Sequence, residues 1–311
     1  MDLTVIILNW NAAEDTIRCV KQVAGWQRLR STVWVVDNGS LDGSTEAILN
    51  ACPEACLIRN AVNRGFAGGN NVGVRAALAV SDAPILLLNN DAFIAEEDVV
   101  RLLHTLQADE GESEDENKQI GFVGPLLFDA DARERLLAAG GRDPVRYHHS
   151  HILELKDGAP VRVVEYVPGT VLLARPEVFR TVGLLDERYF FTMEVADLCK
   201  RAARQGYASV VDTRARAFHS LSRSSSVRET IHTYYIVRNR FLFIRKFYSR
   251  WKLLFYGVWT IYSLALWLKV RLEGKPAMAR SVWLGLLDGL GGRFGRRRNE
   301  LFVEQSRSTQ G

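Results

Sequence analysis

Asn and Asp close three apolar runs in this 311-residue chain. Val5-Ile6-Ile7-Leu8 leads into Asn9-Trp10-Asn11, Val33-Trp34-Val35-Val36 into Asp37-Asn38-Gly39-Ser40, and Ile85-Leu86-Leu87-Leu88 into Asn89-Asn90-Asp91. Carboxylates and amides gathered in one place suit a nucleotide and a hard divalent ion, which prefers oxygen ligands. A carboxylate such as Asp37 can accept the ring N3–H of uracil or thymine and so select a pyrimidine. The competing reading of Asp-Asn-Gly-Ser is a plain turn, since all four residues favour turns. Glu194 and Asp197 form a second acidic cluster within Phe190–Arg201. They either supply a proton acceptor or start a helix whose dipole favours acids there. His219 follows the strand-like run Ala208–Phe218 and is either a ligand or a structural histidine.

Such side chains act together only if the fold gathers their strand ends. Runs that are apolar throughout, with helical segments between them, read as parallel strands of an α/β sheet buried on both faces. Strands are expected at 3–9, 33–37 and 85–89, with helices over Ala12–Ala24, Ser44–Cys52, Gly73–Val80 and Glu96–Leu106. Ser44 is the expected N-cap of its helix, with Glu46 in the first turn. Ligands of such sheets bind beyond the carboxyl ends of the strands, where the three tips lie.

Asn63–Gly73 follows a strand-like segment, Ala55–Arg59, and enters a helix. Its glycines, Gly65, Gly68 and Gly69, allow close backbone approach, and free N–H groups at a helix start attract phosphate. Their spacing is not the dinucleotide fingerprint. Arg64 would meet a base or a pyrophosphate; the alternative is a glycine-rich turn with a surface Arg. Asp109–Lys118 reads as an exposed loop, Gly121–Phe128 as the start of a more irregular half, and 140–166, with His148, His149 and His151, as a flap or hairpin near the acceptor. Pro168-Gly169-Thr170, before the strand Val171–Ala174, would line the acceptor side. Ser222–Ser226 with Arg223, and also Arg228, Arg238 and Arg240, are candidate phosphate contacts. His104 and His232 read as structural or exposed.

Taken jointly, the three tips, Asn63–Gly73 and Phe190–Arg201 resemble the family 2 glycosyltransferases of GT-A fold, over about residues 3–240. The Asn-Arg-Gly-Phe-Ala-Gly-Gly-Asn-Asn stretch is similar to their rhamnosyltransferase-like branch. The resemblance implies an inverting transfer of a sugar, rhamnose as first guess, from a UDP- or dTDP-sugar to a lipid-linked or polysaccharide acceptor. It implies that Asp37 reads the base, with Asn9, Asn11 and Asn38 beside it. Arg64, Gly65, Gly68, Asn89 and Asn90 join the nucleotide-sugar site. Asp91 and His219 would hold Mg2+ or Mn2+ near the diphosphate, and Glu194 would be the base, with Asp197 supporting it or exchanging roles with it. Two positions depart from the family pattern. Asn89 stands where the family's Asp-x-Asp has its first acid, and Val195 stands at the middle acid of its Glu-Asp-x-Asp-Leu motif. These departures keep open a catalytically inactive sugar-nucleotide-binding or scaffold protein. A sugar-1-phosphate nucleotidyltransferase should carry a glycine-rich loop with a catalytic basic residue after the first strand, which Asn9-Trp10-Asn11 is not.

Composition sets the outer limits. The chain is long enough for one large α/β domain plus an appendage. A net charge of +4, without interleaved aromatic and basic runs, gives no reason to expect nucleic acid. The four cysteines form no CxxC pair, so free thiols in a reducing compartment are expected. A strand begins almost at the first residue, so no signal segment is expected. We divide the chain into a transferase domain, 1–230, and a helical extension, 231–311. No acid falls between Glu229 and Glu273, whereas Arg238, Arg240, Arg245, Lys246, Arg250 and Lys252 are basic. Leu253–Leu268 is apolar and aromatic-rich but shorter than the roughly 20 residues that span a bilayer. It reads as an interfacial helix on an anionic, cytoplasmic membrane face, with Arg296-Arg297-Arg298 adding charge. The alternatives are a helix buried in the domain or in a homodimer, and one that spans the bilayer.

Overall fold

The computed structural model describes residues 1–108, 118–155, 158–220 and 226–297. Most of the Asp109–Lys118 stretch, Ser222 to Ser225 with Arg223, the Arg228 side chain and Arg298 lie outside them. The backbone groups into two units: Met1–Asp186 with Val195–Ser222, and Glu187–Glu194 with Arg223–Gly311.

The first unit is built on β1 (Asp2–Asn9), α1 (Ala13–Ala24), β2 (Arg30–Asp37), α2 (Ser44–Ala51), β3 (Cys56–Arg59), α3 (Gly65–Val80), β4 (Ile85–Asn89), β5 (Ala92–Ile94) and α4 (Glu96–Gln107). There follow β6 (Gln119–Asp129), β7 (Leu136–Ala138), β8 (Val161–Val164), β9 (Val171–Ala174), α5 (Pro176–Thr181), α6 (Glu194–Ala203) and β10 (Tyr207–His219). One mixed sheet runs β3-β2-β1-β4-β9-β6-β10-β5. The three apolar runs are neighbours in it, because β1 pairs in parallel with both β2 and β4. Strand β9 is antiparallel to both β4 and β6, and β6 is parallel to β10. Strand β10 therefore points the same way as β4, and His219 reaches the same edge as Asn89.

Side-chain alternation explains the two covered faces. Leu3, Val5 and Ile7 point into one core with Cys19, Val20 and Val23 of α1 and Val99, Leu102, Leu103 and Leu106 of α4. Ile6 and Leu8 point the other way, against α3. That helix begins at Gly65, not after the glycines, so the expected phosphate-binding loop is helical. The glycines serve packing. A Cβ on Gly69 would lie 2.4 Å from Leu8 Cδ1, and one on Gly73 2.6 Å from Ile6 Cγ2. Spaced i,i+4, they form a bare helix face that lies directly on the sheet.

Other expectations are corrected as well. Ser44 is the first residue of α2, not its cap; Gly43 takes the cap position in the left-handed region, at φ 81°. Asp42 Oδ1 accepts from Ser44 N and Ser44 Oγ. The supposedly irregular stretch is the 11-residue strand β6. Its Gly and Pro misled, but Pro125 sits where the β10 register shifts between Asp212 and Arg216, a place a strand tolerates proline. Among the described residues of the 140–166 region only Val161–Val164 forms a strand, on β10, while Gly141 bridges His151 and Tyr166. All four cysteines are free thiols.

In the second unit α7 (Ser226–Phe247), α8 (Lys252–Leu272) and α9 (Pro276–Gly291) are helices. The helix α8 has 21 residues, longer than its apolar run, because Lys252, Lys269 and Arg271 extend it at the ends. With the preceding 3-10 turn it is long and apolar enough to cross a membrane by length and composition, which corrects the expectation that it falls short. Tyr234 Oη donates to Asp288 Oδ2 at 2.7 Å, tying α7 to α9.

Candidate active site

The register of the central strands puts the tips side by side: Asn9 pairs with Asp37, and Leu8 with Asn89. A continuous chain of hydrogen bonds then joins them. Asn9 Nδ2 donates to Asp37 Oδ1 at 2.8 Å. Thr16 Oγ1 donates to Asn9 Oδ1 at 2.8 Å, and Asn90 Nδ2 donates to Thr16 Oγ1 at 2.9 Å. Thr16, on the first turns of α1, is the link the sequence did not reveal. It is a polar residue on a buried helix face, with nothing in its spacing to mark it.

Asp37 is 0% exposed. Its Oδ1 also accepts from Ser40 Oγ at 2.5 Å, and its Oδ2 accepts from Ser40 N at 3.2 Å and Thr45 Oγ1 at 3.0 Å. A carboxylate offers about four lone-pair sites, and all are filled from within the fold. Direct contact with a base N–H therefore requires one of these partners to give way. Asn11 takes the left-handed conformation, φ 50°, which Asn tolerates better than most residues. Its backbone N donates to Ser40 Oγ and its Oδ1 accepts from Leu41 N. Trp10 stands exposed beside it.

Asn38 organises the neighbouring loop. Its Oδ1 accepts from Asn60 Nδ2 and from Arg64 N, and its Nδ2 donates to Asn63 Oδ1 and Gly65 O. Asn63 Oδ1 accepts from Gly65 N at 2.7 Å, so the first-turn N–H expected to meet phosphate is already engaged. The Arg64 side chain is exposed, and Gly68 is buried in α3.

Asp91 and His219 come together across the chain. The turn after β4 leads into β5, which pairs antiparallel to β10 with Ala92 opposite His219. Ser220 N donates to Asp91 O at 3.1 Å, and His219 Nε2 lies 3.1 Å from Asp91 Oδ1. The Asp91 carboxylate oxygen suits Mg2+ or Mn2+, whereas the His219 imidazole nitrogen fits a transition ion such as Mn2+ better than Mg2+, which prefers oxygen throughout. Among the described residues no group of three or more His, Cys, Asp or Glu assembles, so further ligands would come from water or phosphate. The thiol of Cys19 on α1 is pushed up to about 12, first by burial and then by the Asp91 charge. It is protonated and inert at neutral pH.

In the acidic cluster, Asp197 is fully buried and accepts from Arg201 Nε at 2.8 Å, one turn on. The same guanidinium donates to Val182 O and Leu184 O. Asp197 thus fixes α6 in its unit. Glu194 is the first residue of α6 and is 5% exposed. Arg238 and Arg240, expected as phosphate contacts, are instead buried in the second unit: Arg238 donates to backbone carbonyls, and the Arg240 guanidinium lies 3.6 Å from the Trp259 ring centre. Burial lowers Arg240 to about 10.

Residues 4–113 match the family described as Glycosyl transferase family 2. Residues 4–113 are thus a family 2 glycosyltransferase domain. This glycosyltransferase is 27% identical over 308 residues to the low-salt glycan biosynthesis hexosyltransferase of Haloferax volcanii, with 95% of this chain and 93% of that one covered. It is 26% identical over 239 residues to the N-acetylglucosaminyl-diphospho-decaprenol L-rhamnosyltransferase of Mycobacterium tuberculosis, covering 71% of this chain and 76% of the relative. Its fold is similar to that of a mannosyltransferase from Pyrobaculum calidifontis solved with GDP-Man and Mn2+, at TM-score 0.58 and 14% identity, over 94% of this chain and 87% of that one. The mixed sheet flanked by helices is GT-A-like, and the enzyme is a hexosyl-type transferase.

Proposed function

We propose that this glycosyltransferase moves a hexosyl group, rhamnose first among them, from a UDP- or dTDP-sugar to a lipid-linked glycan acceptor, with inversion, at a membrane surface. The observation that carries this reading is the single polar edge on which Asp37, Asn9, Thr16 and Asn90 are joined by hydrogen bonds, with Asp91 against His219. The rhamnosyl part and the lipid-linked acceptor are supported by the mycobacterial relative's name.

In this reading Asn9, Asn11, Asn38 and Asp37 hold the loop that receives the base, and Arg64 offsets phosphate charge. Asp91 and His219 would hold the divalent ion, which when bound offsets the charge that develops on the departing diphosphate. Glu194 takes the proton of the acceptor hydroxyl as that oxygen attacks the anomeric carbon from the face opposite the diphosphate. Asp197, committed to Arg201, keeps α6 in place and is not the base. The apolar, outward side of α8 lies on the membrane where a lipid-linked acceptor is found.

Single-turnover transfer by two variants tests this. Glu194→Gln keeps shape but cannot accept a proton, and should lose about 10²–10⁴-fold in rate with donor affinity unchanged. Asp91→Ala should lose transfer and its dependence on Mn2+ together. Near-wild-type transfer by Glu194→Gln alongside a dead Asp197→Asn would reverse the two roles.

A further inference from the structure

The segment Glu187–Glu194 that delivers Glu194 to the start of α6 belongs to the second unit, and its backbone is strained. Phe190, Thr192 and Met193 all lie in the left-handed region, at φ 64°, 68° and 68°. None is a glycine, and Thr is β-branched, for which this conformation is a true outlier. Each such residue persists only where the surroundings over-determine it.

Two adjacent residues of α7 supply that restraint. Arg238 Nη2 donates to Tyr189 O at 2.8 Å and Arg188 O at 3.1 Å. Asn239 Nδ2 is shared among Tyr189 O at 3.0 Å, Phe191 O at 2.8 Å and Thr192 O at 3.0 Å. Asn239 Oδ1 in turn accepts from Arg238 Nε and Nη2, which orients both side chains. Arg238 is 1% and Asn239 0% exposed. The aromatic side chains of the segment are held as well: Phe190 stacks on Tyr235, ring centres 5.2 Å apart, and Phe191 meets His232 edge-on at 5.9 Å. The last carbonyl gripped belongs to Thr192, two residues before Glu194.

We propose that Arg238 and Asn239 are positioning residues for catalysis, clamping the carbonyls of Arg188, Tyr189, Phe191 and Thr192 so that the strained segment presents Glu194 to the acceptor hydroxyl. The inference rests on the reading of Glu194 as the base. An ordinary buried pair would be satisfied by a relaxed loop. Here the carbonyls aimed at one Arg–Asn pair are those of a segment that no unrestrained chain would hold, and the segment ends at the proton acceptor. A displacement of about 1 Å in a reacting group costs on the order of 10²-fold in rate.

The test is a double-mutant cycle on the full-length enzyme, using Asn239→Asp and Arg238→Lys, each alone and combined with Glu194→Gln. Asn239→Asp keeps the acceptor for Arg238 and removes the donors to the segment. Arg238→Lys keeps the charge and loses the fork. Each variant is first required to show the wild-type rise in melting temperature on adding UDP- or dTDP-sugar, so that folding and donor binding are intact. The expected result is a kcat about 10–100-fold lower with the donor KM within about twofold, and a further loss below about threefold in the Glu194→Gln background, because the clamp acts through that carboxylate. Equal losses in both backgrounds would mean that the pair only supports the fold, and wild-type kcat in both clamp variants would overturn the proposal directly. If one variant fails the melting control, the other decides. If Glu194→Gln itself turns over normally, the assignment of the base has failed and the clamp proposal falls with it. That result is distinct from an inactive Glu194→Gln beside unaffected clamp variants, in which the base stands and the clamp does not.

Discussion

Ser40 holds Asp37 as tightly as any residue at the edge, donating through both its hydroxyl and its backbone N–H. If the carboxylate is to meet a pyrimidine N–H, the hydroxyl is the partner that can rotate away, while Asn9 and Thr45 come from packed elements. Asp37→Ala should therefore raise the dissociation constant of a UDP- or dTDP-sugar about tenfold or more, since hydrogen bonds to charged groups are worth about 1.5–3 kcal/mol. Ser40→Ala should bind the donor as well as the wild type or better, because it leaves a lone pair available. Titration calorimetry with both nucleotides decides it; donor affinity lost equally in both variants would make Asp37 a purely structural residue of the loop. Asn9, Asp37, Asn89–Asp91 and His219 were legible because each polar residue ends an apolar strand, and strand ends of a parallel sheet share an edge. Thr16 was not, because a buried Thr on a helix announces nothing until its partner strand is known. Arg238 was misread for the same reason: its charge was visible in the sequence, and the carbonyls it serves were not.

At the scale of elements, α3 decides how closely the polar edge is built. Glycine is a poor helix former, by about 1 kcal/mol against Ala, so a stretch with Gly65, Gly68, Gly69 and Gly73 reads locally as a loop. Contact with the sheet outweighs that propensity, because removing the Cβ atoms lets the helix lie on Leu8, Ile6 and Val36. Gly73→Ala improves local propensity and places a methyl 2.6 Å from Ile6 Cγ2. Overpacking of a core typically costs about 1–3 kcal/mol, so the variant should melt several degrees lower, and an unchanged or raised melting temperature would mean that the glycine face is not close-packed. The same reasoning explains β6, where glycines and Pro125 hid a central strand. By contrast, the boundaries of β1, β2, β4, α1 and α4 fell within a few residues of expectation, because amphipathic or uniformly apolar patterning decides those elements without reference to neighbours. The segment before Glu194 has no such pattern. Its left-handed residues are held by α7, through a contact 48 positions later in the sequence.

For the molecule as a whole, the second unit offers an exposed apolar helix surface. Leu254, Val258, Ile261, Leu264, Leu268 and Leu272 are exposed along α8 at helical spacing, with Trp251 and an 86%-exposed Leu253 at its start. Contiguous exposed apolar stripes mark sites of interaction. The opposite side of α8 is occupied: Trp259, Ser263 and Val270 are buried, and Trp259 covers the Arg240 guanidinium. A helix with one side packed on its own unit and one side bare suits a position in the plane of a membrane better than a passage through it, although its length permits either. Basic residues near the helix ends, Arg250, Lys252, Lys269 and Arg271, add about 1 kcal/mol each near an anionic leaflet, and salt screens that part alone. The full-length enzyme should therefore sediment with vesicles containing phosphatidylglycerol and be only partly released by high salt. Ile261→Asp with Leu268→Asp should shift it to the supernatant and leave the donor-induced rise in melting temperature intact. Sedimentation velocity separates the alternative. A detergent-free dimer that ignores vesicles, and that the double substitution splits into monomers, would assign the stripe to a second copy of this chain instead of to lipid.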